Sequence, residues 1–146
     1  MTPTKPLNVK IILASVRANR FGDKPAKWIE EIAKTTEGLN VEILDLKDWQ
    51  LPVFAQPVSP AYVTGSYGNA DVDRWAGKIA EADAFIVVTP EYNHGYPATL
   101  KNHIDSIYRE WNQKPVCFVA YGSTGGARVT QQLREVSIEL QMSPIR

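Results

Sequence analysis

Four short apolar runs, each followed by apolar residues at helical spacing, constrain this chain more than any other feature. The runs are Val9-Lys-Ile-Ile-Leu-Ala-Ser15, Val41-Glu-Ile-Leu-Asp-Leu46, Ala84-Phe-Ile-Val-Val88 and Pro115-Val-Cys-Phe-Val-Ala-Tyr121. Each is long enough for a buried strand and too short for a helix. Helical faces follow: Trp28, Ile29, Ile32 and Ala33; Val72, Trp75, Ala76 and Ile79; Leu100, Ile104, Ile107, Tyr108 and Trp111; Val129, Leu133, Val136 and Leu140. The first helix is expected to open on Asp23 as N-cap, with Pro25 early, and to stop at Gly38. Asp71 is expected to cap the second helix, through about Glu81, and the third is expected over 98–111. Strict alternation of strand and helix predicts an α/β fold with a doubly wound parallel sheet, in order 2-1-3-4. The chain reaches Ser143-Pro-Ile-Arg146 where a fifth strand should begin, so that strand is expected to be missing and one sheet face thinly covered. The 146 residues read as a single domain over 1–146.

Charge excludes some partners. Sixteen basic residues balance sixteen acidic ones, so no global field draws nucleic acid or an anionic membrane. The single cysteine, Cys117, lies inside an apolar run and reads as a small buried hydrophobe. One cysteine permits no internal disulfide, which fits a reducing compartment. Met1 to Asn8 lacks the apolar core of a signal peptide, and no apolar run approaches the roughly 20 residues of a membrane span. The chain reads as soluble and cytoplasmic.

The chemistry lies in the loops after the first, third and fourth strands. In this sheet order the first and third strands flank the point where the order reverses, and ligands bind beyond the carboxyl ends there. The first loop offers Ser15, Arg17, Asn19 and Arg20 ahead of a helix N-terminus, a combination suited to a terminal phosphate. Two solvent-facing arginines on a surface loop are the plainer alternative. The third loop, Thr89-Pro-Glu-Tyr-Asn-His-Gly-Tyr-Pro97, holds backbone groups between two prolines and presents the flat face of Tyr92. A stiff loop covering a helix end is its plainer alternative. The fourth, Gly122-Ser-Thr-Gly-Gly126, lets backbone approach a ligand closely, or simply turns into a helix. The irregular piece from Asp48 to Ala70, with Phe54, Tyr62 and Tyr67, is long enough to be functional.

Other chemistries fail on residue type. Cys117 sits in a strand and not in the phosphate loop, so it is no phosphatase nucleophile. Thr89 and Pro90 stand where a phospho-accepting receiver needs aspartate. His94 and His103 have no third ligand at metal spacing and read as a loop residue and a helix-surface residue. Ser15 has no readable histidine and acid partners. Features that bind an anion and a planar ring, with little acid–base machinery, suit a cofactor that carries its own chemistry.

Ala14-Ser-Val-Arg17 with Phe21, Leu51-Pro52, Thr89-Pro-Glu-Tyr-Asn93, Pro97, Leu100-Lys-Asn102 with Ile104-Asp105, and Lys114-Pro-Val116 together resemble the NAD(P)H-dependent FMN reductase family of flavodoxin-like folds. That family includes flavin, chromate, quinone and azo reductases. The resemblance implies FMN as cofactor, NADPH or NADH as electron donor and a small-molecule electron acceptor such as a flavin or quinone. It implies that Ser15, Arg17, Arg20 and Phe21 surround the FMN phosphate and ribityl chain. Pro90, Glu91, Tyr92 and Asn93 would wrap the isoalloxazine ring, with Ser123, Gly125 and Gly126 lining its other side. No catalytic side chain and no metal ligand is assigned. Arg20 stands where many members have serine, and His94-Gly95 replaces a pair of small residues. Members are commonly dimers or tetramers, and a homodimer or homotetramer is expected here. The alternative is an FMN-binding electron carrier without NAD(P)H oxidation of its own, although such carriers tend to be strongly acidic.

Overall fold

A computed structural model describes residues 5–145; the first four residues of the Met1–Asn8 stretch and Arg146 lie outside it. The strands are β1 (Leu7–Leu13), β2 (Leu39–Asp45), β3 (Ala84–Pro90), β4 (Pro115–Tyr121) and β5 (Ser143–Pro144). The helices are α1 (Asp23–Lys34), α2 (Ala70–Ala80), α3 (Ala98–Asp105) and α4 (Ala127–Glu139). All strand pairs are parallel, in order β2-β1-β3-β4-β5. The expected order 2-1-3-4 is present. The fifth strand is not missing, as expected from the sequence, but begins: Ser143 and Pro144 pair with Pro115 and Val116. Proline lacks the N–H a ladder needs, which makes this short strand hard to read.

Side-chain alternation along β1 divides two cores. Ile12 and Ala14 face Trp75, Ile79, Leu100, Trp111 and Leu133 beneath α2, α3 and α4. Ile11 and Leu13 face Ala26 of α1, with Val88 beside them. Among the described residues only α1 contributes a buried helical residue to this second core, and Cys117 and Val119 are half-buried.

Several local expectations are corrected. The stripe of α1 that turns inward carries Ala26, Ile29 and Ala33, leaving Trp28 and Ile32 exposed. Gly22, not Asp23, is the N-cap of α1. Asn69, not Asp71, caps α2, its side-chain oxygen accepting from the N–H groups of Asp71 and Val72. The third helix ends at Asp105, and a separate 3-10 turn spans Arg109–Trp111. Trp111 is buried against Phe85 and Trp75. His103 is buried, not on a helix surface.

Candidate functional site

The carboxyl ends of β1 and β3 deliver two loops to one crevice of about 470 Å³, lined by Arg17, Glu91, Tyr92 and Asn93. The loop after β1 is pinned at its start, where Ala14 N–H donates to the Val88 carbonyl at 3.0 Å. Ser15, the next residue, is buried. Its hydroxyl lies 2.9 Å from the Tyr92 hydroxyl, which joins the first and third loops directly. The Arg17 guanidinium stands 5.7 Å from the centre of the Tyr92 ring. Arg17 is exposed and makes no ion pair among the described residues, so its charge is available to an anion.

The third loop is shaped by its own hydrogen bonds. Tyr92 and Gly95 exchange two backbone bonds of 2.9 Å each, closing a tight hairpin. Asn93 and His94, at φ 49 and 69, occupy the two left-handed positions such a turn requires. Glu91 N–H donates to the Tyr121 carbonyl at 2.8 Å. Of the three N–H groups from Glu91 to Asn93, only that of Asn93 has no partner among the described residues.

The Glu91 side chain joins the third loop to the fourth. Helix α4 begins after Gly126, which has no side chain to cap it. The Glu91 carboxylate supplies the cap from the third loop, accepting from Arg128 N–H at 3.1 Å, Val129 N–H at 3.3 Å and the Arg128 guanidinium at 3.0 Å. Burial, the largest single influence, pushes this carboxyl's pKa up. The bonds from Arg128 and Val129 outweigh it and hold the group below the ordinary range. Gly126 has φ 73, and a Cβ there would lie 2.5 Å from that of Ala120, so both conformation and space demand glycine. Ser123 and Gly125 are exposed on the same loop.

Phe21 packs edge-on against Tyr121 at 5.1 Å, has the Lys24 ammonium 5.9 Å from its ring centre and remains 55% exposed. Pro90 ends β3 in the register Pro90↔Tyr121. Arg20 is drawn away from the crevice opening. Its guanidinium bonds Asp45, Asp23 and the Ser15 carbonyl.

A second cleft, of about 590 Å³, shares the first loop through Val16 and runs between Leu46–Val53 and the start of α3. Two neighbouring side chains of α3 hold its far wall. The Asn102 amide accepts from Phe54 N–H at 2.8 Å and donates to the Pro52 carbonyl at 2.9 Å. One His103 nitrogen lies 2.6 Å from the Trp49 carbonyl and the other 2.8 Å from that of Thr99. The Leu51-Pro52 and Leu100-Lys-Asn102 motifs are therefore one device, a loop bound to a helix. Sequence reading also passed over Asp45 and Tyr121. Their only signal was an acid and an aromatic at the carboxyl ends of strands.

The chain is similar to known proteins along most of its length. The family model for NADPH-dependent FMN reductase matches residues 7–146. An NAD(P)H-dependent FMN reductase of Schizosaccharomyces pombe is 40% identical over 134 residues, covering 92% of this chain and 67% of its own. The NAD(P)H-dependent FMN reductase LOT6 of Saccharomyces cerevisiae is 34% identical over 148 residues, covering 95% and 78%. A quinone reductase of Escherichia coli K12 is 33% identical over 145 residues, covering 94% and 72%. Among solved structures, FerB of Paracoccus denitrificans, a flavoenzyme NAD(P)H:(acceptor) oxidoreductase, superposes with a TM-score of 0.78 at 24% identity, covering 96% of this chain and 75% of its own.

Proposed function

Because the chain belongs to the NADPH-dependent FMN reductase family, we infer that the crevice between the loops after β1 and β3 is where its cofactor sits. The protein is an FMN-dependent NAD(P)H oxidoreductase. FMN, when bound, supplies the hydride and electron transfer, and the chain's own residues bind and orient it. The donor set fits the group. Arg17 offers an uncommitted guanidinium, Ser15 and Tyr92 a pair of hydroxyls, and Asn93 a free backbone N–H. On this reading Ser15, Arg17 and the start of α1 hold the phosphate. Tyr92, Asn93 and Phe21 border the ring and chain, with Pro90 fixing the entry of the loop. Glu91 holds the third and fourth loops together, so that Ser123, Gly125 and Gly126 keep their place on the far side. The observation that carries this reading is the Ser15–Tyr92 hydroxyl contact at 2.9 Å, which brings the phosphate-type loop and the aromatic loop to one point.

The acceptor is proposed to be a small molecule, a flavin or quinone, and the donor NADPH or NADH. A second copy of the chain is the proposed partner, in a homodimer or homotetramer. The long loop before α2 leaves Val53 at 85% and Tyr62 at 80% exposure, apolar surface that a second copy would cover. No helix is long and apolar enough to cross a membrane, among the described residues. The cytoplasm is the proposed location, supported by the single cysteine.

The test is direct. Purified protein is expected to bind FMN, to show its absorbance and to oxidise NADPH or NADH with a quinone. Arg17→Ala is expected to weaken FMN by about 1.5–3 kcal/mol, the scale of a charged hydrogen bond, and riboflavin far less. Equal losses for both ligands would remove Arg17 from the phosphate site. FMN binding without turnover of either nicotinamide donor would favour the electron-carrier alternative.

A further inference from the structure

A guanidinium has five N–H donors and accepts nothing. In Arg20 every donor is engaged. Nε donates to Asp23 Oδ1 at 2.9 Å; one terminal nitrogen donates to the Ser15 carbonyl at 2.7 Å and Asp45 Oδ1 at 2.6 Å; the other donates to Asp23 Oδ1 at 2.6 Å and to Asp45 Oδ2. The side chain is 6% exposed. Two carboxylates against one guanidinium leave this spot with a net negative charge, a poor welcome for a phosphate. Arg20 could reach an anion only by abandoning bonds it already makes.

Asp45 reaches this position through strand register. It ends β2 opposite Leu13, and Leu46 N–H donates to the Leu13 carbonyl at 3.2 Å. The loop therefore leaves β1 alongside Asp45. Lys47 N–H fixes the Asp45 carboxylate from below at 3.0 Å. Burial is the largest influence on this carboxyl and raises its pKa, but Arg20 and the Lys47 N–H together bring it below the ordinary value, so it is ionised at neutral pH.

We propose that Asp45 and Arg20 are positioning residues: Asp45 holds the Arg20 guanidinium, and Arg20 holds the Ser15 carbonyl, so that the Ser15 hydroxyl and Arg17 are presented to the FMN phosphate. The clamp acts on the phosphate only through the loop. It rests on the reading of that loop as the phosphate site.

Dissociation constants for FMN and riboflavin, measured on the full chain carrying Asp45→Asn, Arg20→Lys or both, test it. Asparagine turns an N–H donor toward the guanidinium. Lysine keeps the charge but has three donors on one atom and cannot reproduce the five bonds of the planar fork. Each single change is expected to lower the ratio of FMN to riboflavin affinity about tenfold while leaving riboflavin binding intact. The double change should lose no more than either single one, because both break the same unit. Direct phosphate binding by Arg20 predicts otherwise: Arg20→Lys keeps most of the ratio as a point charge, and Asp45→Asn, by freeing the guanidinium, keeps or raises it. That pattern, or additive losses in the double variant, overturns the clamp. If Asp45→Asn does not fold, Arg20→Lys alone separates the two. If the unaltered protein does not prefer FMN over riboflavin, the phosphate site is misplaced and the clamp falls with it.

Discussion

Both nitrogens of His103 lie against carbonyl oxygens, although a neutral imidazole has one N–H to give. Burial, the stronger influence, pushes its pKa down, while the two carbonyls pull it up. The native state therefore resists protonation below about 6.5, where an unfolded histidine takes its proton. As pH falls through that range the unfolded chain binds a proton the native chain does not, so stability falls. The urea midpoint is expected to drop between about pH 7 and about pH 5 more in the unaltered protein than in His103→Gln. Parallel curves would show that His103 titrates alike in both states. His103 illustrates what remains hidden at this scale. Its spacing, three after Leu100 and four before Ile107, lies on the apolar face, but its polar type masked the burial because its acceptor on Trp49 lies far away along the chain. Ser15, Arg17 and Tyr92, which the structure brings together, were legible as candidates because a short polar loop between strand and helix has few other reasons to hold such side chains. Arg20 was legible as a charged loop residue, but its commitment to Asp45 depends on strand register, which sequence does not display.

Among the elements, strands were easier to read than helices. β4 was expected at its observed bounds, since a continuous apolar run has little else to be. The third helix was expected to reach Trp111 because Ile104, Ile107 and Trp111 keep a spacing of three and four. A 3-10 turn repeats nearly as a helix does, so the pattern survives the break after Asp105. At the break the Ser106 hydroxyl donates to the Asn102 carbonyl at 2.6 Å, and Tyr108 N–H donates to the Tyr67 hydroxyl at 3.1 Å. The edge of β4 carries a sharper expectation. Val116 accepts from Ile145 N–H on the β5 side, so by alternation Phe118 and Ala120 point the same way, beyond the two residues of β5. Tyr121 faces β3, where its carbonyl accepts from Glu91. Hydrogen exchange is expected to be fast at Phe118 and Ala120 and slow at Cys117 and Val119. Equal protection along the strand would mean that this edge is covered, by further chain continuing β5 or by a second copy.

Taken whole, the molecule has its earliest strand near the middle of the sheet. β1 pairs with β2 along one edge and with β3 along the other, Val9 to Leu13 lying against Ala84 to Val88. Synthesis runs from the N-terminus, so β1, α1 and β2 leave the ribosome long before β3 exists. Until then one edge of β1 is bare, and Ile12 lacks Phe85 and Val87, its companions in the larger core. Nascent chains halted before Ala84 are expected to be protease-sensitive, and chains released with α4 complete resistant; protection of the shorter ones would mean that β1, α1, β2 and α2 stand alone. The proposed cofactor crevice inherits the same timetable. Ser15 and Arg17 are made before Tyr92, which must follow before the crevice has two sides. Arg128, which holds Glu91, comes later still. A growing chain therefore acquires its affinity for FMN only after Arg128 has been made, and free cofactor has little opportunity to guide the earlier steps of folding.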